Sequence, residues 1–197
     1  MSASTVSFGS TPVRITKVLN ATSGKAENVI FSKLNFLDKF DALAIDNLKK
    51  VWLSDKNFGL CSLFEEIADS FLNEKCSYDS FYALERKASK LPLEQRILGV
   101  VKVFTDKGNR RIDYIQVGPE SLCAGAQREY KKVGQSLMNN IVKSMKQENA
   151  ANITLLSMAD SFFNSIGIPI TRQYKACSDR AFSKNLFNRI IANTEIC

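Results

Sequence analysis

The chain of 197 residues contains no histidine. This absence excludes Ser-His-Asp and Cys-His catalysis, because both mechanisms use an imidazole as the base. Proton transfer must therefore depend on a carboxylate, a tyrosine, a lysine, a cysteine, a terminal amine or water. The five cysteines include no pair with CxxC spacing, so no metal site is expected. Reduced thiols in a cytoplasmic compartment are the simplest interpretation.

Long apolar segments are also missing. No stretch approaches the ~20 apolar residues that a membrane span needs, so no membrane span is expected. Residues 1–11 are polar and are expected to be flexible, and they lack the basic region and apolar core of a Sec-type signal peptide. These features predict a cytoplasmic protein. An exported bacterial effector is the less favoured alternative, since such proteins also have Ser/Thr-rich N-termini.

The formal net charge is +7, from 27 basic and 20 acidic side chains. A positive surface attracts nucleic acid, an anionic membrane or a polyphosphate, or it simply keeps a protein soluble. The basic residues are densest at 107–111 and 128–132, and both clusters are expected to flank one anion site. The sequence has no RRM-type aromatic signature and no helix-turn-helix pattern, so nucleic acid is the disfavoured ligand.

Hydrophobic periodicity predicts an alternating order of strands and helices. Strands are expected at 13–18, 80–85, 97–104, 111–117, 152–157 and 168–176, with a loop over 20–28. Helices are expected at 37–51, 60–72, 128–148, 160–167 and 181–192. This order predicts an α/β (α+β) fold with a mixed central sheet of about six strands and helices on both faces. One domain is expected over 12–197, with a core at 12–176 and a C-terminal helical extension at 177–197.

Several details of these elements are open to test. Helix 37–51 is expected to have one buried apolar face, formed by Leu37, Phe40, Leu43, Ala44, Leu48 and Val51. Strand 152–157 is expected to be fully buried. Helix 128–148 is expected to bury a face that begins at Tyr130 and to leave Asn139 on its outer face. Asp160 is expected to cap the short helix that Gly167 ends.

The segment 111–136 carries the main functional motif. A strand ends at Gly118-Pro119, and a loop then leads to the hexapeptide Lys131-Lys132-Val133-Gly134-Gln135-Ser136, which opens the long helix. A helix N-terminus has unpaired N–H groups and a positive dipole end, so it suits a pyrophosphate. Glycine there lets a phosphate approach the backbone closely. The element order and this hexapeptide resemble the coenzyme A-binding half of the GCN5-related N-acetyltransferases, the GNAT superfamily.

This resemblance implies a set of roles. The pyrophosphate of acetyl-CoA would be held by Lys131, Lys132, Val133, Gly134, Gln135 and Ser136. The pantetheine arm would contact Ile115, Gln116, Val117 and Asn164. Asp113 would be the general base, and alternation places it on one face of its strand together with Ile115 and Val117.

The sequence also departs from the family pattern. The usual Phe-Tyr pair of the short helix reads Phe162-Phe163, and phenylalanine cannot protonate a departing thiolate. Tyr174, Ser161 or water would have to do so instead. A single strand is expected after residue 168 where the family has a hairpin, so part of the acceptor wall would be missing, replaced or supplied by a second subunit of a homodimer.

Two main functions follow from these observations. The first is an acyl-CoA-dependent N-acyltransferase that passes an acetyl group from acetyl-CoA to a primary amine, either a small molecule or a protein amine. The alternative is a catalytically silent GNAT-like domain that acts as a binding or interaction module. Phe163, the long loop before the helix and the expected C-terminal helix favour the second.

Overall fold

The computed structural model describes residues 10–35, 37–54, 68–69, 79–87, 90–122, 128–157, 159–175 and 177–196. Almost all of the N-terminal segment expected to be flexible, and most of the helix expected at 60–72, lie outside these ranges. Ala68 and Asp69 are helical, and Ala68 is buried.

The described strands form one sheet of nine, in the order β6-β1-β2-β3-β4-β5-β7-β9-β8. The strands are β1 (Thr11–Asn20), β2 (Ala26–Leu34), β3 (Asp79–Arg86), β4 (Ile97–Asp106), β5 (Asn109–Val117), β6 (Tyr130–Lys131), β7 (Asn152–Ser157), β8 (Ile170–Gln173) and β9 (Ser178–Ser183). Neighbours are antiparallel except β5 and β7, which run parallel.

Six helices are described: α1 (Lys39–Ser54), α2 (Leu93–Arg96), α3 (Pro119–Leu122), α4 (Val133–Gln147), α5 (Asp160–Ser165) and α6 (Lys184–Thr194). One face of the sheet packs against α4 and α6 around Leu137, Ile141 and Phe187. The other face packs against α1 through Leu48 and Trp52. The expected mixed sheet with helices on both faces is thus confirmed, although the sheet has nine strands and not about six.

Three of the nine strands, β2, β6 and β9, were not expected. β2 begins at Ala26, within the last part of the region expected to be a loop, and it buries Val29 and Phe31 between β1 and β3. β9 occupies 178–183, where the C-terminal helix was expected to begin. Its inward positions are Ser178, Arg180 and Phe182, a pattern that hides the usual apolar alternation. β8 and β9 therefore form the hairpin that the sequence was expected to lack, which removes the reason for expecting a second subunit to supply it.

The long helix starts later than expected. Tyr130 and Lys131 form the short strand β6 beside the end of β1, and α4 begins at Val133. Tyr130 is buried all the same. Asn139 is buried and not on an outer face, because α6 covers it. Its Nδ2 donates to the Ile191 carbonyl oxygen at 2.9 Å.

Two predicted burial patterns were also wrong. Helix α1 buries Ala44, Ile45, Leu48 and Trp52. Four residues that were expected to be buried are exposed instead: Leu37 in the turn before the helix, and Phe40, Leu43 and Val51 within it. The buried face includes Asp41, whose carboxylate accepts a hydrogen bond from the Asn35 backbone amide before the start of the helix. Strand β7 is buried on one face only, since no described helix covers its outer residues, and Leu156 there is 58% exposed.

Candidate active site

An opening in the sheet lies between the parallel strands β5 and β7. The two strands pair at three positions, and the last is Ile112 with Leu155. Beyond it β5 continues to Val117 while it remains paired with β4, whereas β7 ends at Ser157 and the chain turns into α5. The strands therefore diverge, and the opening is bounded by residues 113–117 on one side and by the end of β7 and α5 on the other.

The N-terminus of α4 lies at this opening. The residue before the helix, Lys132, has a left-handed backbone with φ 62°, and no side chain caps the helix. The amides of Val133, Gly134 and Gln135 donate to no described backbone carbonyl, and the first bond of the helix runs from the Ser136 amide to the Lys132 carbonyl at 2.9 Å. Three N–H groups and the positive end of the dipole thus face outward, beside the exposed side chains of Lys131 and Lys132.

Gly134 brings three elements close together. A methyl group at its Cα would lie 3.4 Å from the ring of Phe162 and 3.8 Å from Val117 Cγ1. The half-buried Phe162 ring from α5 therefore lies beside the start of α4, close to the end of β5. Gly134 lies within the helix and not at a left-handed position, and a methyl group there would make only ordinary contacts, so the ligand-free fold does not require glycine here.

The structure places the other expected binding residues in several environments. Ser136 is buried, and its hydroxyl lies 3.3 Å from Thr16 Oγ1 on β1, away from the outward-facing amides. Gln116 is also buried, and its side chain donates to the Val117 carbonyl at 3.0 Å. Ile115 and Val117 pack against the core on the α4 side of the sheet. Asn164 is exposed on α5.

Asp113 occupies a β-bulge at the point where β5 and β7 separate. The register shifts between Lys102 and Val103 of β4, so Ile112 packs on the α4 side whereas Tyr114 packs on the α1 side. The carboxylate of Asp113 accepts a hydrogen bond from Arg111 Nε and lies 4.0 Å from Lys102 Nζ. The bulge therefore breaks the alternation that would put Asp113 on one face with Ile115 and Val117, and the carboxylate lies between two cations.

Tyr174, the expected proton donor, follows β8 and is 39% exposed. Its hydroxyl donates to Asp179 Oδ2 at 2.8 Å, and this hydrogen bond raises the pKa of Tyr174. Asp179 lies on β9 directly opposite Leu156 of β7. Tyr174 and Asp179 are thus next to the strand that forms one side of the opening.

A buried arginine that sequence reasoning missed fastens α5 to the sheet. The Arg180 side chain has no exposed area, and it donates to Asp160 Oδ1 at 2.8 Å, to Asn164 Oδ1 at 3.0 Å and to the Ile168 carbonyl oxygen. Its guanidinium also lies 5.6 Å from the centre of the Phe163 ring.

Asp160 does not cap α5, since its carboxylate is used by Arg180 and by the Ser178 hydroxyl. These two hydrogen bonds lower the pKa of Asp160 to about 2. Gly167 ends the helix as expected, with φ 83°. The sequence feature that could have predicted the burial of Arg180 is its place between Ser178 and Phe182, at the inward positions of a strand with alternating burial.

Only one of the two basic clusters lies near the N-terminus of α4. Residues 128–132 lead directly into α4, but Lys107 and Arg110 lie at the start of β5. Seven residues of strand separate Arg110 from Val117, which is about 23 Å. Arg110 instead pairs with Glu148 just past the C-terminus of α4 at 2.9 Å. The expectation that both clusters flank one anion site was therefore wrong.

Comparison with known proteins identifies the fold. No family model matches the chain, and no curated protein matches it in sequence. Among solved structures, a putative GNAT-family acetyltransferase from Desulfovibrio desulfuricans is similar with a TM-score of 0.54 and 14% identity, over 79% of this chain and 98% of that one. PaiA N-acetyltransferase from Thermoplasma acidophilum, solved in complex with coenzyme A, has a TM-score of 0.51 and 14% identity, over 79% of this chain and 98% of its own.

A third similar structure is the spermidine/spermine N-acetyltransferase SpeG from Vibrio cholerae, which was solved in mutant forms. Its TM-score is 0.53 at 12% identity, and the match covers 81% of this chain and 96% of that one. The chain therefore has the fold of the GNAT superfamily. In addition, no described helix is both long and apolar enough to span a bilayer.

Proposed function

We propose that the protein is an acyl-CoA-dependent N-acyltransferase that transfers an acetyl group from acetyl-CoA to a primary amine. The observation that carries this proposal is the divergence of β5 and β7 directly beside the uncapped N-terminus of α4. A nucleotide thioester has a polyanionic end and a long thin arm, and these two features match an anion-binding helix end and a gap between strands. Coenzyme A in the PaiA structure and the acetyltransferase names of the neighbours support the same choice.

The binding roles follow from the positions of the backbone and the lysines. The amides of Val133, Gly134 and Gln135 would donate to the pyrophosphate, and Lys131 and Lys132 would add positive charge beside it. Main-chain groups of residues 115–117 would hold the pantetheine arm. Ser136 would contribute through its backbone, because its hydroxyl points toward Thr16.

The acetyl group would lie at the bulge where the strands separate. Asp113 is our candidate for the group that accepts the proton of the attacking amine, directly or through water. Its ion pairs with Arg111 and Lys102 fix its position. Tyr174 is the candidate donor to the departing thiolate, with Asp179 orienting its hydroxyl. Asp113 lies on β5 and Tyr174 follows β8, so β7 and β9 lie between them in the sheet, and the hydrogen bond to Asp179 places the Tyr174 hydroxyl beside β9.

A catalytically silent binding domain is the second candidate. The observation that favours it is the Phe162-Phe163 pair: Phe163 is buried in the core, and Phe162 lies beside the start of α4. Neither ring offers a proton. Such a domain would use the same opening, or the surface around it, to hold a ligand without turnover.

Thermal unfolding with and without coenzyme A tests the binding step. A ligand present at 100 times its dissociation constant stabilises the native state by about 2.7 kcal/mol, so the wild-type melting temperature should rise clearly with coenzyme A. Gly134→Ala is the diagnostic variant. Its methyl group would make an ordinary 3.4 Å contact with Phe162, and alanine is the better helix former by ~1 kcal/mol, so the ligand-free fold should tolerate it.

The same methyl group would add bulk where the pyrophosphate is proposed to approach the backbone, so Gly134→Ala should lose most of the stabilisation by coenzyme A. A wild-type protein that coenzyme A does not stabilise would exclude the proposal. Acetyl transfer to a panel of amines then separates the two candidates. Turnover that Asp113→Asn abolishes supports the enzyme, whereas tight binding without turnover supports the silent domain.

A further inference from the structure

The opening between β5 and β7 is bordered by an aromatic side chain. A methyl group on Gly134 would lie 3.4 Å from the Phe162 ring and 3.8 Å from Val117 Cγ1. The ring therefore lies beside the start of α4, close to the end of β5. A ligand that binds the amides of α4 and extends its arm between the strands has to pass this ring.

We propose that the Phe162 side chain is a gate, which rests beside the opening and must swing outward before acyl-CoA enters. This inference rests on the function proposed above and adds a residue that controls access to the same site. The swing concerns the side chain alone, since the backbone of α5 is held on both sides of the ring.

The backbone around Phe162 is anchored. The Phe162 amide donates to the Ala159 carbonyl at 3.1 Å, and the Phe162 carbonyl accepts from Ser165 Oγ at 2.7 Å. The buried Arg180 ties both ends of α5 to β9 through Asp160 and Asn164. Movement of the whole helix would break these charge-assisted bonds, whereas rotation of one ring breaks none of them.

The ring itself is only partly enclosed. It packs against the edge of the core cluster, but at the start of α4 it faces a glycine, which presents no side chain to pack against. It meets Phe163 edge-to-face with centroids 4.9 Å apart and remains half-buried. The neighbouring Phe163 is fully packed, at 3% exposure. The two adjacent phenylalanines thus differ: Phe163 belongs to the core, whereas Phe162 is only partly buried and borders solvent.

A closed gate lowers the apparent affinity for the ligand by the fraction of molecules that are open. Stopped-flow measurement of coenzyme A association with the wild type, Phe162→Ala and Phe162→Leu tests this. Phe40→Ala is the matched control, because it removes the same ring from α1 on the opposite face of the sheet. Far-UV circular dichroism and a melting curve verify that each variant is folded.

We expect Phe162→Ala to raise the association rate constant at least about five-fold, Phe162→Leu to raise it less, and Phe40→Ala to leave it unchanged. Binding by Phe162→Ala alone, with none by the wild type, would also support the gate. An unchanged association rate in Phe162→Ala would overturn it while leaving the proposed function intact. A faster dissociation alone would show that the ring is a wall of the site and not a gate. If none of the proteins binds coenzyme A, both the gate and the proposed function fail.

Discussion

Two helix N-termini in this protein are built in opposite ways. At the start of α1, Asp38 Oδ1 accepts hydrogen bonds from the amides of Phe40 at 2.8 Å and Asp41 at 3.3 Å. Asp41 adds a second carboxylate in the first turn. At the start of α4 there is no side-chain cap and no acidic residue in the first turn, and two lysines precede the uncapped amides.

The contrast shows what each end is suited to. The chain supplies its own anions to α1, where the helix packs on the sheet and its amides must be satisfied. It supplies cations to α4, which leaves the amides and the dipole without a counter-charge from the first turn of the helix. An external anion is the natural complement of such an end. Substitutions at the N-terminus of α1 should therefore change stability, whereas substitutions at the N-terminus of α4 should change coenzyme A binding.

The largest effect on stability is expected at α1, from Asp41→Asn. Asp41 is fully buried, and its Oδ1 accepts no hydrogen bond from any described residue. Burial, opposed by the hydrogen bond from the Asn35 amide, raises the pKa of Asp41 from 3.8 to about 6. The folded state therefore holds this proton more tightly than the unfolded state, and stability falls as the pH rises from about 4 to about 6.

Above that range the ionised carboxylate costs up to about 3 kcal/mol. Asparagine does not ionise and can still accept from the Asn35 amide. Asp41→Asn should therefore be the more stable protein at pH 7, with a difference that shrinks toward pH 4. Urea unfolding at several pH values between 4 and 8 measures this. A constant difference across that range would contradict the assignment of the titration to Asp41.

The next largest effect is expected at α4, from Lys132→Asp. The substitution places an anion where the pyrophosphate is proposed to bind, and it should weaken coenzyme A binding on the order of 100-fold, about 2.7 kcal/mol. The ligand-free protein should be unharmed. Aspartate tolerates the left-handed backbone better than lysine does, and a carboxylate at a helix N-terminus stabilises by ~0.3–1 kcal/mol.

Lys146→Asp is the control for this variant. It makes the same change of charge at the other end of α4, about 21 Å away along the helix axis. It should leave coenzyme A affinity within about two-fold, because that distance exceeds the Debye length in physiological salt. Calorimetric titration of both variants decides the matter. Equal losses in the two would indicate attraction to the overall positive charge and not a local site.

Removing the cap of α1 should have a moderate effect. Asp38→Ala leaves the Phe40 and Asp41 amides without their acceptor and should destabilise by about 1 kcal/mol. Asp46→Ala on the same helix is the control, because among the described residues Asp46 makes one exposed ion pair, with Lys50, and its loss should change stability by about 0.3–0.5 kcal/mol. Chemical denaturation compares the two. Coenzyme A binding should be the same in both, since neither lies near α4.

Local sequence signals were enough to predict the elements around the candidate site. The turn at Lys107-Gly108 needs two positive φ angles, and the sequence supplies a glycine there. Helix α4 has a strong amphipathic period, and its core face was read correctly from Val133 to Met145. The superfamily fold followed from the order of these elements.

The remainder depended on contacts between residues distant in sequence. Strands β2 and β9 each pair with a neighbour on both sides, so the polar composition of β9 did not prevent it from forming a strand. Arg180 can be buried because Asp160 and Asn164 accept its hydrogen bonds. Hydrophobic periodicity does not predict these partners. The bulge that turns Asp113 away from Ile115 and the Phe162 ring over Gly134 are likewise products of packing.

The smallest effect is expected from Ser136→Ala, which tests whether the α4 site uses only the backbone. Ser136 is buried, and its hydroxyl faces Thr16 Oγ1 at 3.3 Å. Loss of this hydrogen bond costs about 0.5–1.5 kcal/mol, and the better helix propensity of alanine offsets part of it, so stability should change by less than about 1 kcal/mol. Coenzyme A affinity should change by less than about two-fold, because the amides stay in place. A ten-fold loss of affinity with unchanged stability would mean that the hydroxyl turns away from Thr16 to bind phosphate, and that the site is not made of main-chain groups alone.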